Sequence, residues 1–100
     1  MIIYHIVIPE VWAKFTDETE YEAESLGAEG FIHCSYRNQL DGVLERYYKN
    51  ESKVTILHIN PHLLKANFIA EPSTGGEVYP HIYGKINLNA VVETEERFLR

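Results

Sequence analysis

The sequence is poor in cysteine and in positive charge, and each shortage excludes a class of function. Its 100 residues contain one cysteine, Cys34, which rules out an intramolecular disulfide and any zinc cluster built on several cysteines. Nine Lys and Arg stand against 15 Asp and Glu, which gives a formal net charge of −6. Nucleic-acid backbones are bound by clusters of basic residues, and the sequence has no such cluster. Nucleic acid is therefore not an expected partner.

Long hydrophobic runs are also missing. The longest apolar runs span about five residues, whereas a membrane-spanning helix needs about 20, so we expect no membrane partner. No basic region precedes a long apolar stretch, so we expect no signal peptide and a cytoplasmic location. Composition is 45% hydrophobic and 24% charged, which is typical of a globular protein, and the length suits a single domain over residues 1–100.

Alternation and runs of apolar residues predict an α+β domain with about six strands. The predicted strands cover residues 2–8, 31–34, 54–59, 67–70, 78–84 and 90–94. The acidic stretch of residues 17–29 is interpreted as a solvated loop or edge, with a brief strand at Tyr21.

One main helix is predicted over residues 36–49. Its apolar residues recur at helical spacing and predict one buried face formed by Leu40, Val43, Leu44, Tyr47 and Tyr48. Short helical segments are expected over residues 9–15, where Pro9 suits the first helical position, and over residues 61–64.

Five histidines are candidates for chemistry, and His5 is the one that stands inside an apolar strand. Its ring nitrogens are either satisfied by backbone groups in the core, or they project into a cleft and bind a ligand hydroxyl. His58 and His62 are four residues apart, but Pro61 breaks any helix between them, so no metal site is expected.

The junction between the second predicted strand and the main helix carries His33, Cys34 and Ser35. Free backbone N–H groups at such a junction attract anions, whereas the alternative is that Ser35 caps the helix. A nucleophilic Cys34 would need a base beside it, and adjacent strand residues point to opposite faces. A catalytic cysteine is therefore not expected.

A second group of candidates follows the glycine-containing loop of residues 72–76. Two glycines allow the backbone to approach a ligand closely, and Glu77, Tyr79, His81 and Tyr83 add polar and stacking groups. The same residue types also make ordinary turns, so both interpretations stay open.

Several segments together resemble domain-of-unknown-function family 952, an uncharacterised bacterial family. They are Ile3-Tyr4-His5-Ile6, Glu29-Gly30-Phe31-Ile32-His33-Cys34-Ser35 with Gln39, Glu71-Pro72, Gly75-Gly76-Glu77 and Pro80-His81-Ile82-Tyr83-Gly84. The resemblance covers nearly the whole chain in the same order and spacing.

This resemblance implies an ADP-ribosyltransferase-like fold, a split β-sheet core with a cleft for NAD or ADP-ribose between its halves. In that scaffold His5 would bind a ribose, and His33 with Ser35 would lie near the nicotinamide. A third polar position would be filled by Glu71, Glu77 or His81. Glu77 and His81 are the expected catalytic residues, and Tyr79 or Tyr83 would stack on a ring.

The predicted function is therefore that of a small nucleotide-binding domain with NAD as its cofactor. Such a domain would transfer or hydrolyse ADP-ribose, or it would bind the ligand without catalysis. A third hypothesis is an interaction protein whose histidines are structural. The sequence assigns no oligomeric state.

Overall fold

The computed structural model describes residues 1–99 and has an α+β architecture in which all paired strands are antiparallel. The strands are β1 (Ile3–Val7), β2 (Glu20–Tyr21), β3 (Ile32–His33), β4 (Lys53–Ile59), β5 (Asn67–Pro72), β6 (Val78–Tyr83), β7 (Ile86–Asn87) and β8 (Val91–Phe98). The α-helices are α1 (Pro9–Trp12), α2 (Glu24–Glu29) and α3 (Leu40–Tyr47). Three 3₁₀ turns cover Arg37–Gln39, Pro61–Leu63 and Leu88–Ala90.

The strands divide into three groups. The first sheet has the order β1-β4-β8, the second sheet has the order β3-β6-β5, and β2 and β7 form a separate strand pair. A single bridge between Tyr4 and Ser35 joins the first sheet to the chain that leaves β3. The backbone N–H and C=O groups of these two residues exchange hydrogen bonds of 2.9 and 2.7 Å.

The first sheet is covered on both faces, which explains why β1 is buried along its whole length. One face packs against α3, where Ile6 and Ile56 contact Leu40 and Leu44. The opposite face packs against the second sheet and the strand pair, in a larger cluster. That cluster contains Ile3, Val7, Tyr21, Ala23, Ile32, Cys34, Leu57, Ile59, Ile82, Ile86 and Ala90.

The second sheet buries one face and presents the other to the cleft described below. Ile82 and Pro80 are fully buried in the core, so the alternate residues of β6 lie on the opposite face. Those alternate residues are Tyr79, His81 and Tyr83. The strand's period of two therefore separates core residues from candidate site residues.

Several sequence predictions needed correction. The acidic stretch contains α2, and β7 was not predicted, so residues 1–99 hold eight strands, counting the brief one at Tyr21, instead of six. The main helix is shorter than residues 36–49, because a 3₁₀ turn precedes it and it ends at Tyr47, whose exposed fraction is 73%. The brief strand at Tyr21 and the helical turn after Pro61 are confirmed. Among the residues described, no helix is long and apolar enough to cross a membrane.

Gly84 should be intolerant of a side chain, and Gly27 should accept one. A Cβ at Gly84 would lie 2.8 Å from the Ala66 Cβ, whereas a Cβ at Gly27 in α2 meets nothing within 4 Å. We expect Gly84→Ala to lower the free energy of unfolding by about 1–3 kcal/mol through overpacking. Gly27→Ala should be neutral or raise it by up to about 1 kcal/mol. Urea unfolding checks both, and equal stability of the two variants would contradict this account.

Candidate active site

A cleft of about 890 Å³ lies between α3, β3 and the loop that joins β5 to β6. Residues of β3 and β6, with their flanking positions, form one part of its lining: Phe31, His33, Cys34, Ser35, Tyr79 and His81. Helix α3 and the residue after it contribute Val43, Arg46, Tyr47 and Tyr48. The end of β5 and the loop that follows it contribute Pro72, Ser73, Thr74, Gly75 and Glu77.

His33 and His81 lie directly opposite each other in the register of β3 and β6. Their ring centroids are 5.5 Å apart and the rings meet edge to face. Phe31 stacks on His81 at a centroid distance of 4.0 Å and an angle of 21°. These three rings form one aromatic cluster at the cleft, against which a planar ligand can pack.

His33 and His81 are each hydrogen-bonded to a carboxylate. His33 Nε2 lies 3.0 Å from Glu29 Oε2, and Glu29 is the last residue of α2. His81 Nδ1 lies 2.8 Å from Glu71 Oε1 on β5, and the Tyr83 hydroxyl donates to the same oxygen. The hydrogen bonds from Tyr83 and from His81 lower the pKa of Glu71 below its ordinary value. Glu71 is therefore an ionised carboxylate at neutral pH.

A second polar network begins at Glu77. Its two carboxylate oxygens accept from Gln39 Nε2 at 3.1 Å and from the Tyr79 hydroxyl at 3.1 Å. Arg46 donates to the same Tyr79 hydroxyl at 2.8 Å, which holds a guanidinium against the cleft. Burial raises the pKa of Tyr79 and the hydrogen bond to Glu77 adds to this effect, while the Arg46 charge acts in the opposite direction. The network therefore keeps Tyr79 protonated and Arg46 in place.

The loop that supplies Glu77 is a five-residue hairpin connection. The Ser73 N–H donates to the Glu77 carbonyl at 2.8 Å, and the Gly76 N–H donates to the Ser73 carbonyl at 2.9 Å. Gly76 has a φ of +87°, a backbone conformation that glycine adopts without the cost of a Cβ clash. A glycine is therefore required at this position for the loop to close over the cleft.

Cys34 and Ser35 both line the cleft but differ in what they offer. Cys34 is 4% exposed, and burial raises the pKa of its thiol, so it stays protonated and is no nucleophile. Ser35 is fixed by its backbone bridge to Tyr4. It does not cap the helix, because the capping position before the 3₁₀ turn is Tyr36, whose N–H donates to Gln39 Oε1.

His5 lies away from the cleft, and its position does not support the expected contact with a ribose. Its Nδ1 is 2.6 Å from the His33 carbonyl and its Nε2 is 2.8 Å from the Tyr21 hydroxyl. A carbonyl can only accept, so Nδ1 carries the proton and Nε2 accepts from Tyr21. Burial lowers the pKa of His5 to about 4. The imidazole is neutral, both nitrogens are occupied, and its effect on the cleft passes through the His33 backbone.

The cleft thus brings together His33, Ser35, Glu77, Tyr79 and His81 of the predicted site residues. Tyr83 lies on the same sheet face, but beyond the lining, where it binds Glu71. No group of three or more His, Cys, Asp or Glu within residues 1–99 is arranged to hold a metal ion.

Sequence reasoning missed Phe31 and Arg46. Phe31 was detectable, because residues two apart on a strand share a face and His33 was already a candidate. Arg46 was not detectable by spacing. It lies in α3 outside the set of apolar residues that repeat at helical spacing, and its contact with Tyr79 is formed only in the tertiary structure.

Comparison with known proteins identifies relatives but no activity. Residues 6–94 match the family described as "Protein of unknown function (DUF952)". The crystal structure of CC0527 from Caulobacter crescentus has a TM-score of 0.86 at 23% identity, covering 96% of this chain and 85% of that chain. Its solution NMR structure has a TM-score of 0.76 at 24% identity, covering 94% and 82%. At these identities the likeness shows the fold alone. No curated protein matches the chain.

The neutral state of His5 should make folding stability fall with acid. Above pH 6.5 the imidazole is neutral in both the folded and the unfolded chain, so its stabilising contribution is complete. Between pH 6.5 and about 4 only the unfolded chain takes the proton, and stability is lost. We expect a loss from this group of about 2 kcal/mol between about pH 7.5 and about pH 5, measured by urea unfolding.

The variant His5→Gln isolates this contribution from the titration of the carboxylates. It should flatten the decline in the free energy of unfolding over that pH range, whatever its own stability. The exposed His62 provides the matched control, and His62→Gln should leave the decline unchanged. An equally steep decline in His5→Gln would show that His5 is not the group responsible.

Proposed function

The chain belongs to the DUF952 family of unknown function, and from the geometry of its cleft we propose that it binds a nucleotide such as NAD or ADP-ribose. The observation that carries this proposal is the combination of an aromatic cluster with a guanidinium in one cleft. Phe31, His33 and His81 supply the rings, and Arg46 supplies the charge. A nucleotide presents the matching features, a planar base and an anionic phosphate.

The size and charge of the cleft agree with such a ligand. Its volume of about 890 Å³ falls in the range of roughly 300–1,000 Å³ found for small-molecule sites. Within residues 1–99, Arg46 is the one Lys or Arg in the lining of a protein whose net charge is −6. A diphosphate would therefore find its partner at Arg46, and the acidic surface elsewhere would not compete for it.

The candidate residues take different parts in this proposal. Arg46 and Tyr79 would bind phosphate or ribose oxygens, and His33 with Ser35 would contact the second ring and its ribose. Tyr83 would act indirectly, by holding Glu71 behind His81. Glu77 and His81 are the groups with the chemistry to promote cleavage of the bond between nicotinamide and ribose.

The arrangement of the sheets supports an ADP-ribosyltransferase-like scaffold as part of the same proposal. That scaffold needs a core divided into two halves with the nucleotide between them. Here the bridge between Tyr4 and Ser35 joins the two three-stranded sheets through the backbone, the His5 side chain adds a second link, and Ser35 lines the cleft. Fold analogy alone is a weak argument for activity, so the proposal depends on the cleft.

A specific contact favours the alternative that the cleft binds without catalysis. Both oxygens of Glu77 already accept hydrogen bonds from Gln39 and Tyr79. A carboxylate used in this way orders the loop and its neighbours, and it would have to exchange a partner to reach a ribose hydroxyl. Release of nicotinamide distinguishes the enzyme from the binding module.

Calorimetric titration with NAD and with ADP-ribose tests the proposal. We expect saturable binding by the intact protein, with nicotinamide release followed in the same samples. Arg46→Ala should weaken binding about 10- to 100-fold, because a charged hydrogen bond to phosphate contributes about 1.5–3 kcal/mol.

The matched control is Arg37→Ala, since Arg37 lies over the Tyr4 ring at 5.5 Å and does not line the cleft. It should bind as the intact protein does. Absence of heat with both nucleotides would refute the proposed ligand class. Equal weakening by the two arginine variants would show that the charge of the whole protein, rather than the cleft, governs binding.

A further inference from the structure

The hydrogen bonds behind His81 fix which of its ring nitrogens carries a proton. Glu71 is an ionised carboxylate that can only accept, so the bond of 2.8 Å requires a proton on His81 Nδ1. In the neutral imidazole the second nitrogen, Nε2, then keeps its lone pair. Within residues 1–99, Nε2 has no hydrogen-bond partner. The neutral form of His81 therefore presents Nε2 as an unused accepting nitrogen.

The surroundings of His81 hold the ring in one orientation. Phe31 stacks on it, and Ile69 of β5 lies opposite it in register. The titratable groups around it are Glu71 on β5, Tyr83 on its own strand and His33 on β3. His81 lines the cleft whereas Glu71 does not, so the carboxylate supports the imidazole from outside the ligand space.

We propose that His81 is the general base of the cleft and that Glu71 is its positioning residue. This inference rests on the proposed function, because the reaction considered is cleavage of NAD by water. It assigns separate tasks to the two residues. His81 contacts the reacting water and accepts its proton, and Glu71 acts only through His81.

The proton balance of that reaction requires one base and no acid. The oxygen of water forms a bond to the ribose carbon while the bond from that carbon to the nicotinamide nitrogen breaks. The electron pair of the broken bond goes to the ring nitrogen, cancels its positive charge and lets nicotinamide leave as a neutral molecule. The water proton passes to His81 Nε2. The products are ADP-ribose, nicotinamide and a proton, and the imidazolium formed faces the Glu71 carboxylate.

Two other pairs of histidine and carboxylate within residues 1–99 do not combine a buried imidazole with a place in the cleft lining. The pair of His33 and Glu29 is exposed, with side-chain accessibilities of 55% and 52%, against 11% for His81. The pair of His58 and Glu95 lies on the first sheet, where Glu95 is also bound by Arg97. Because this last pair is outside the cleft, it provides a matched control.

Long-range nitrogen–proton NMR of the imidazoles tests the positioning role without any ligand. In the intact protein His81 should be the tautomer protonated at Nδ1. Glu71→Ala should shift it towards the mixture found for free imidazole, whereas Glu71→Gln should retain it, because an amide oxygen still accepts from Nδ1. Glu95→Ala should leave His81 unchanged. A His81 protonated at Nε2 in the intact protein would overturn the positioning role.

Nicotinamide release at saturating NAD tests the base. His81→Ala should lower kcat about 100-fold or more, the usual contribution of a general base. The variant also loses one of the rings of the cleft, so calorimetry gives its own Kd for NAD and kcat is measured at NAD concentrations well above that Kd. Glu71→Ala should lower kcat less than that, Glu71→Gln should recover part of the loss, and Glu95→Ala should have no effect.

The outcomes separate this inference from the proposed function. Release of nicotinamide that persists undiminished in His81→Ala would overturn the base and leave nucleotide binding intact. Binding of NAD without release of nicotinamide by the intact protein would also overturn the base and leave nucleotide binding intact. Failure to bind NAD would refute the proposed function and the base with it, and the NMR result would still decide whether Glu71 positions His81.

Discussion

One neutral imidazole in the core connects the three groups of strands. His5 belongs to the first sheet, donates to the carbonyl of His33 in the second sheet, and accepts from Tyr21 in the strand pair. A charged imidazole could not accept from the Tyr21 hydroxyl, and burial holds the pKa of His5 at about 4. Burial keeps the ring neutral at physiological pH, so the three groups of strands are joined at this point by a neutral imidazole.

The position of the cleft follows from that connection. His5 holds the His33 backbone, and the neighbouring bridge between Tyr4 and Ser35 holds the next part of the chain. With β3 fixed at both points, its register with β6 places His33 opposite His81. The strand that carries the site is two residues long, so its placement depends on these contacts with the first sheet rather than on its own pairing.

In and beside the cleft, acidic side chains are hydrogen-bonded to other polar groups. Glu71 is bonded to His81 and Tyr83, and Glu77 is bonded to Gln39 and Tyr79. Each carboxylate accepts from its neighbours and so fixes the orientation of their donor groups. An acidic protein can in this way present a surface of rings and one guanidinium at its cleft.

The sequence by itself determined the α+β class, the buried first strand, the core face of the main helix except Tyr47, and five site residues that line the cleft. Periods of two and of 3.6 residues reveal which residues share a face, so these features are local. Tertiary structure alone decided that His5 is a core residue, that Arg46 reaches Tyr79, and that Glu71 supports His81. These contacts join residues from 10 to 33 positions apart, and no local period encodes them. Short segments such as β7 and α2 were missed for the same reason, because they are stabilised by packing rather than by their own sequence pattern.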